Sequence, residues 1–238
     1  MASPKIARVE WARLDGRRPR LAGCNSRIPV HGIEVHPPIA RITTDDGVDG
    51  FGWCRATRDE AAMLVGAPLD DCFLPESGVA EAVLSFEYPI WDLVAKRLGR
   101  PVYALAAGIN GIDPAMLPRP FRARCYDTSL YIDDLHLETD EEGAALLAAE
   151  AREGYDRGHR AFKIKVGRGA RYMDLEAGTR RDIAVIRAVR AAIGPGIPIL
   201  IDANNGYNLN LTKRVLRETA GSDIYWMEEP FHEDAELY

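Results

Sequence analysis

Apolar positions along this chain follow two rhythms, and the change comes near residue 108. In the first hundred residues short alternating runs dominate. KIARVEWARLD (5–15) predicts a strand, and HPPIARITTDDGVDGFGWC (36–54) predicts strand, turn, strand. Ala40, Ile42 and Thr44 fall on one face there and Arg41 and Thr43 on the other, with Asp46-Gly47 as a hairpin signal. In SGVAEAVLSFEYPIWDLVAKRLGRPVY (77–103), Val79, Val83, Phe86, Ile90, Leu93, Val94 and Leu98 recur at helical spacing. Gly99 is the expected stop, and Pro89 is expected to kink or split the helix. The segment AAGINGIDPAMLPRPFRA, rich in Gly and Pro, reads as a linker.

Beyond it the pattern is strand, helix, strand, helix. RCYDTSLYI (124–132), AFKIKVG (161–167), IPILIDANN (197–205) and DIYWMEE (223–229) read as strands. Between them lie three helical segments. The first is 141–158, capped by Asp140 and closed by Gly158. The second is 175–194, with Ile183, Ile186, Val189 and Ile193 on one side. The third is 211–221, with Asn208 or Asn210 as cap. Strands alternating with helices imply a parallel sheet with helical crossovers. The expected fold is therefore an α+β first domain (1–107), a linker (108–124) and an α/β second domain (125–238). A TIM barrel or an open doubly wound sheet can begin this way.

Composition narrows the classes. The chain is 47% hydrophobic and 28% charged with a net charge of −6, a globular balance without a basic stripe for nucleic acid. Four scattered cysteines (Cys24, Cys54, Cys72, Cys125) form no C-x-x-C pair and read as reduced thiols of a cytoplasmic protein. No apolar run approaches the ~20 residues of a membrane span. No G-x-G-x-x-G or phosphate-binding loop follows a strand, so a nucleotide cofactor has little support.

Three strands carry charge where a buried parallel strand normally has none. Lys163 and Lys165 are two apart and share a face; so do Asp202 and Asn204; Glu228 closes the run that begins at Ile224. Each has a plain alternative: solvated edge lysines, turn formers after a strand, a loop start before Pro230. On three successive strands they read better as one site at the mouth where barrel enzymes keep theirs. Asp202, Asn204 and Glu228 offer hard oxygen ligands suited to Mg²⁺. Two adjacent ammonium groups repel, which lowers the pKa of at least one and suits it to general-base work. A divalent ion opposite such a lysine can hold a substrate carboxylate and stabilise the enediolate left when its α-proton departs. The five histidines form no ligand cluster, and Glu233, Asp234 and Glu236 read as a solvated helix start.

These motifs resemble the enolase superfamily, in its mandelate racemase and muconate lactonizing enzyme branch. ITTDDGVDGFGW and YPIWDLVAKRLGRPVYALAAG are similar to its capping domain; KIKVG, IDANNGYN and WMEEP are similar to the signatures of barrel strands two to four. The resemblance implies that Lys165 is the general base and that Lys163 lowers its pKa and contacts the substrate carboxylate. It makes Asp202 and Glu228 two of the Mg²⁺ ligands and places Asn204 beside them. Arg27, Trp53 and Arg55, in capping loops, are candidate substrate contacts. The implied activity is Mg²⁺-dependent proton abstraction α to a carboxylate, as in a sugar-acid dehydratase or a hydroxy-acid racemase. A homo-oligomer is expected for the full-length protein. The family's third metal ligand and its opposing acid or base have no counterpart here. Residues 125–238 are also too few for a barrel of ~250 residues. An incomplete TIM-type barrel of about four strands, the N-terminal part of a longer enzyme, is expected. The competing readings are a non-catalytic half-barrel subunit that needs a partner chain and a Schiff-base aldolase using Lys163 or Lys165.

Overall fold

A computed structural model describes residues 3–232, so the acidic tail at 233–236 lies outside the described residues. The chain divides into two compact units. The first comprises Met1–Arg17 with Glu34–Arg122, and the second Arg18–Ile33 with Ala123–Tyr238. Residues 18–33, expected in the first domain, thus cluster with the second unit.

The early strands are β1 (Ile6–Arg13), β2 (Gly16–Ala22), β3 (Gly32–Val35), β4 (Pro38–Thr44) and β5 (Asp49–Trp53). In the first unit β1, β4 and β5 form an antiparallel sheet in the order β1-β4-β5. The β4–β5 turn is the expected one, with Gly47 in the left-handed region (φ 88°). Two short helices, α1 (Arg58–Leu64) and α2 (Leu69–Cys72), and the two-residue strands β6 (Phe73–Leu74) and β7 (Gly78–Val79) follow.

The single helix expected over 77–103 is divided. A 3₁₀ segment (Glu81–Phe86) precedes α3 (Glu87–Leu98), and Val83 breaks the helical geometry at φ −128°. Pro89 is the third residue of α3, where its missing N–H has no intrahelical partner to lose, so it splits rather than kinks the segment. Gly99 ends the helix in the left-handed region as expected (φ 59°). A further helix, α4 (Val102–Ile109), runs into the stretch read as a linker. Helix α3 lies directly on β5: a Cβ at Gly50 would stand 2.3 Å from the Pro89 carbonyl oxygen and 2.4 Å from the Leu93 nitrogen.

The second unit is a parallel sheet of β8 (Asp127–Leu130), β9 (Phe162–Lys165), β10 (Ile199–Asp202) and β11 (Ile224–Glu228), in the order β11-β10-β9-β8. Helices α5 (Asp140–Asp156), α6 (Leu175–Ile193) and α7 (Leu209–Glu218) connect them. Thr139, not Asp140, is the N-cap of α5; its hydroxyl and Glu142 form a reciprocal capping box. Asp140 instead accepts from Arg180 and Arg181. Asn208 caps α7 as expected.

Phe162, Ile164, Ile199 and Ile201 pack with Leu147, Ala151, Ile183, Ile186 and Val189 in one buried core. Burial of each large side chain contributes about 1.5–3 kcal/mol. With that face of β9 spent on the core, the alternate positions Lys163 and Lys165 project to the other. The ladder pairs Lys165 with Asp202 and Asp202 with Glu228, so the three stand in one row at the strands' C-terminal ends. Strand β11 departs from expectation. It is not buried, and Tyr225 and Trp226 are 70% and 47% exposed.

Candidate active site

Strand β9 is buried along its whole length although two of its four residues are lysines. Buried charges at these positions need partners. Lys163 Nζ reaches both oxygens of Glu228 at 3.0 Å and Asp202 Oδ2 at 3.3 Å. Lys165 Nζ donates to Asp202 Oδ2 at 2.5 Å. Aromatic rings lie beside both amines: Tyr126 is 5.2 Å from Lys163 Nζ, and Tyr131 is 5.8 Å from Lys165 Nζ.

The fall in pKa expected from the lysine pair is not found at Lys163. Burial pushes its pKa down, but Glu228 and Asp202 outweigh that, and its ammonium is held above the ordinary lysine value. The carboxylates meant for a metal serve here as counter-ions.

The loops beyond the row are tightly specified. Asn204, Asn205 and Glu229 take positive φ values of 45°, 61° and 41°. Asparagine tolerates that region; a glutamate there is an outlier of the kind that clusters at functional sites. The Asn205 N–H donates to the Glu229 carbonyl and the Tyr207 N–H to that of Pro230. Ser26 Oγ donates to the Ala203 carbonyl at 2.5 Å and lies 2.9 Å from that of Asn204.

Asn204 stands beside the row as expected, its N–H on Asp202 Oδ1 at 3.0 Å. Its Nδ2 donates to Glu229 Oε2 at 3.0 Å, and its Oδ1 is buried with no hydrogen-bond partner. Arg27 is exposed, and its carbonyl accepts from Arg171. With the Asn205 amide nitrogen donating to the Phe231 carbonyl, the amide oxygen accepts from Arg27 Nη1 at 3.0 Å. Trp53 and Arg55 are in the first unit, where the guanidinium stacks over the indole at 4.6 Å.

The donors fit a divalent cation. Two hard carboxylates converge on the Lys163 ammonium, and the buried Oδ1 of neighbouring Asn204 is an oxygen with no donor. Among the described residues no group of three or more acidic, histidine or cysteine side chains is placed to hold a metal. Glu229, Ser26, Tyr126 and Tyr131 were not singled out from sequence. The only trace of Glu229 was its place in the Glu-Glu-Pro run.

The fold and the row of lysines and carboxylates define a parallel α/β unit with charged side chains gathered at its strand ends. Residues 146–238 match the enolase C-terminal domain-like family. The chain belongs to the enolase superfamily, in the branch of mandelate racemase and muconate lactonizing enzyme. It is 45% identical to a galacturonate dehydratase from Geobacillus sp., solved with D-galacturonate and 5-keto-4-deoxy-D-galacturonate. The TM-score is 0.89, and the match covers 100% of this chain and 61% of that one. A mandelate racemase/muconate lactonizing protein from Geobacillus sp. Y412MC10, solved with magnesium/tartrate, is 44% identical with TM-score 0.88, over 100% and 61% of the two chains. D-galactarolactone cycloisomerase of Agrobacterium fabrum is 28% identical over 81% of this chain and 50% of its own length. The chain spans about half the length of the curated relatives it matches first. Those relatives include sugar-acid dehydratases, cycloisomerases and a racemase. Among the described residues no helix is long and apolar enough to cross a membrane.

Proposed function

We propose that the second unit carries the base and part of the metal site of an enzyme that removes the proton α to a sugar-acid carboxylate. We further propose that water is lost next, with a uronic acid such as D-galacturonate as substrate. The observation that carries the reading is the row itself, in which the two buried lysines of β9 share one face at the strand ends with Asp202 and Glu228. On this reading the strands are the first half of a TIM-type barrel and the first unit is its capping domain.

Asp202 and Glu228 would hold Mg²⁺, with Asn204 beside them. The bound ion supplies positive charge against the charge that develops on the substrate carboxylate. Lys165 takes the α-proton and Lys163 faces the carboxylate. Loss of hydroxide from the β-carbon as water, then ketonisation, turns D-galacturonate into a 5-keto-4-deoxy acid, the pair named for the Geobacillus relative. Arg27, Trp53 and Arg55 are the proposed substrate contacts. A Schiff-base aldolase would leave the convergence of Asp202 and Glu228 without a purpose.

The test pairs calorimetry of Mg²⁺ binding with NMR detection of the keto acid from D-galacturonate. Lys165→Ala should cut turnover by about 10³-fold and keep Mg²⁺ binding. Wild-type protein that ignores Mg²⁺, or a Lys165→Ala variant with full turnover, sinks the reading.

A further inference from the structure

Behind the row lies a second set of charges that the chemistry above does not use. Asp134, Arg168 and Asp182 are each 0% exposed, and Tyr207 is buried with them. Arg168 donates from Nε and Nη2 to Asp134 (3.0 and 2.6 Å) and from Nη1 to Asp182 Oδ1 (2.6 Å). The other oxygen of Asp182 accepts the Gly167 N–H at 2.8 Å and the Tyr207 hydroxyl at 2.7 Å.

Each partner sits just past a strand. Asp134 follows β8; Gly167 and Arg168 follow Lys165 at the end of β9; Tyr207 closes the loop that leaves β10 after Asp202 and contains Asn204. Through its own N–H to the Pro230 carbonyl, Tyr207 also holds the exit of β11, two residues past Glu228. One carboxylate on α6 therefore ties together the segments that present Lys165, Asp202 and Glu228. Space there is short. Gly167 has φ 93°, and a Cβ on it would lie 3.0 Å from the Ala203 carbonyl oxygen and 3.3 Å from Gly206 Cα.

We propose that Asp182, acting with Arg168, Asp134 and Tyr207, is a positioning residue that fixes the spacing of the site row. The inference rests on the functional reading above and adds residues to it. Buried ion pairs are weak stabilisers, because apolar side chains of similar volume commonly hold the fold as well or better. Apolar contacts, however, cannot specify direction. The network aims four hydrogen-bonding directions at backbone and side-chain groups of separate strand exits, and so sets where those exits stand.

The experiment compares wild type with Tyr207→Phe, which removes one donor and leaves the ring, and with the combined replacement Asp134→Leu, Arg168→Met, Asp182→Leu. Three quantities are read: the Tm, the Mg²⁺ dissociation constant, and amide exchange at residues 166–168 and 203–207. The expected result is a Tm within a few degrees of wild type for Tyr207→Phe. Its Mg²⁺ affinity should fall about tenfold, the usual effect of removing an outer-shell partner. Exchange should quicken in those two stretches and not in the core of β9 and β10. The combined replacement should keep its Tm and lose more affinity. Unchanged affinity and exchange in Tyr207→Phe overturns the proposal. So does a loss of affinity that follows the unfolded fraction alone. If wild type binds no Mg²⁺, the functional reading fails, and the local exchange rates decide the clamp by themselves.

Discussion

Asp202 is the hinge of the site: it is 1% exposed, and two ammonium groups lie on one of its oxygens. Asp202→Asn removes that charge and leaves Lys163 and Lys165 facing each other in a buried place. We expect a loss of about 3 kcal/mol in urea unfolding, the scale for breaking one side of a buried pair. Glu228→Gln should cost less, about 1 kcal/mol, because its side chain is 34% exposed and Lys163 keeps Asp202. Equal costs, or the reverse order, would contradict this account of the row. At this scale the sequence was informative because a strand has a period of two. The spacing Lys163–Lys165 and the strand-end places of Asp202 and Glu228 give a face and a depth. They do not give partners. That the amines rest on the carboxylates follows from the register between strands, which no single strand encodes. Glu229 escaped because its carboxyl is aimed by a positive φ that a Glu-Glu-Pro run does not announce.

Among the elements, residues 18–33 were the hardest to place. GRRPRLA (16–22), with three arginines and a proline, carries no apolar alternation to announce a strand, yet it forms β2. The reason lies in its partners. Arg20 Nη2 donates to the Ser129 hydroxyl at 2.7 Å and to its carbonyl, and the same guanidinium faces Glu150 at 3.4 Å and Glu153 at 3.3 Å. Beside it, burial pushes the carboxyl of Asp133 up to about 6 and that of Glu150 up to about 7. Arg20 opposes both shifts and Asp134 reinforces both; Arg168 and the Gly23 N–H favour ionised Asp133, while Asp133 and Glu153 disfavour ionised Glu150. The folded chain therefore binds protons here that the unfolded chain has released. Acids raised in the folded state contribute stability at low pH that is lost as pH rises through the folded pKa. This contribution should fall from about pH 4 to about pH 7 and be flat above. Limited proteolysis within 18–33 should accordingly be slower at pH 5.5 than at pH 8. The double variant Asp133→Asn, Glu150→Gln should lose that difference; a wild-type rate independent of pH would show that the two acids do not hold this segment.

For the whole molecule, the alternation of strands and helices after residue 124 was enough to expect a parallel α/β unit, because each helical crossover returns the chain to the end of the sheet where the previous strand began. It could not say how far the sheet continues. The strand order β11-β10-β9-β8 is shared by the start of a barrel and by one side of an open sheet. The distinction matters at β11. Among the described residues its outer edge has no strand beside it, and Tyr225 and Trp226 are 70% and 47% exposed there. An unpaired edge carrying two large aromatics invites pairing with another chain, and natural edges discourage this with inward or edge lysines. The 238-residue chain should therefore self-associate with increasing concentration, visible by light scattering or sedimentation. Tyr225→Lys should suppress this, since position 225 is the more exposed of the two and a charge placed there must be desolvated before a second chain can add. Because Tyr225 is away from the row of Lys165, Asp202 and Glu228, the variant should keep its Mg²⁺ affinity. If Tyr225→Lys associates as strongly as wild type, the contact lies elsewhere on the molecule. If instead it becomes monomeric and also loses Mg²⁺, the edge and the site are coupled through β11, and the row depends on what covers that strand.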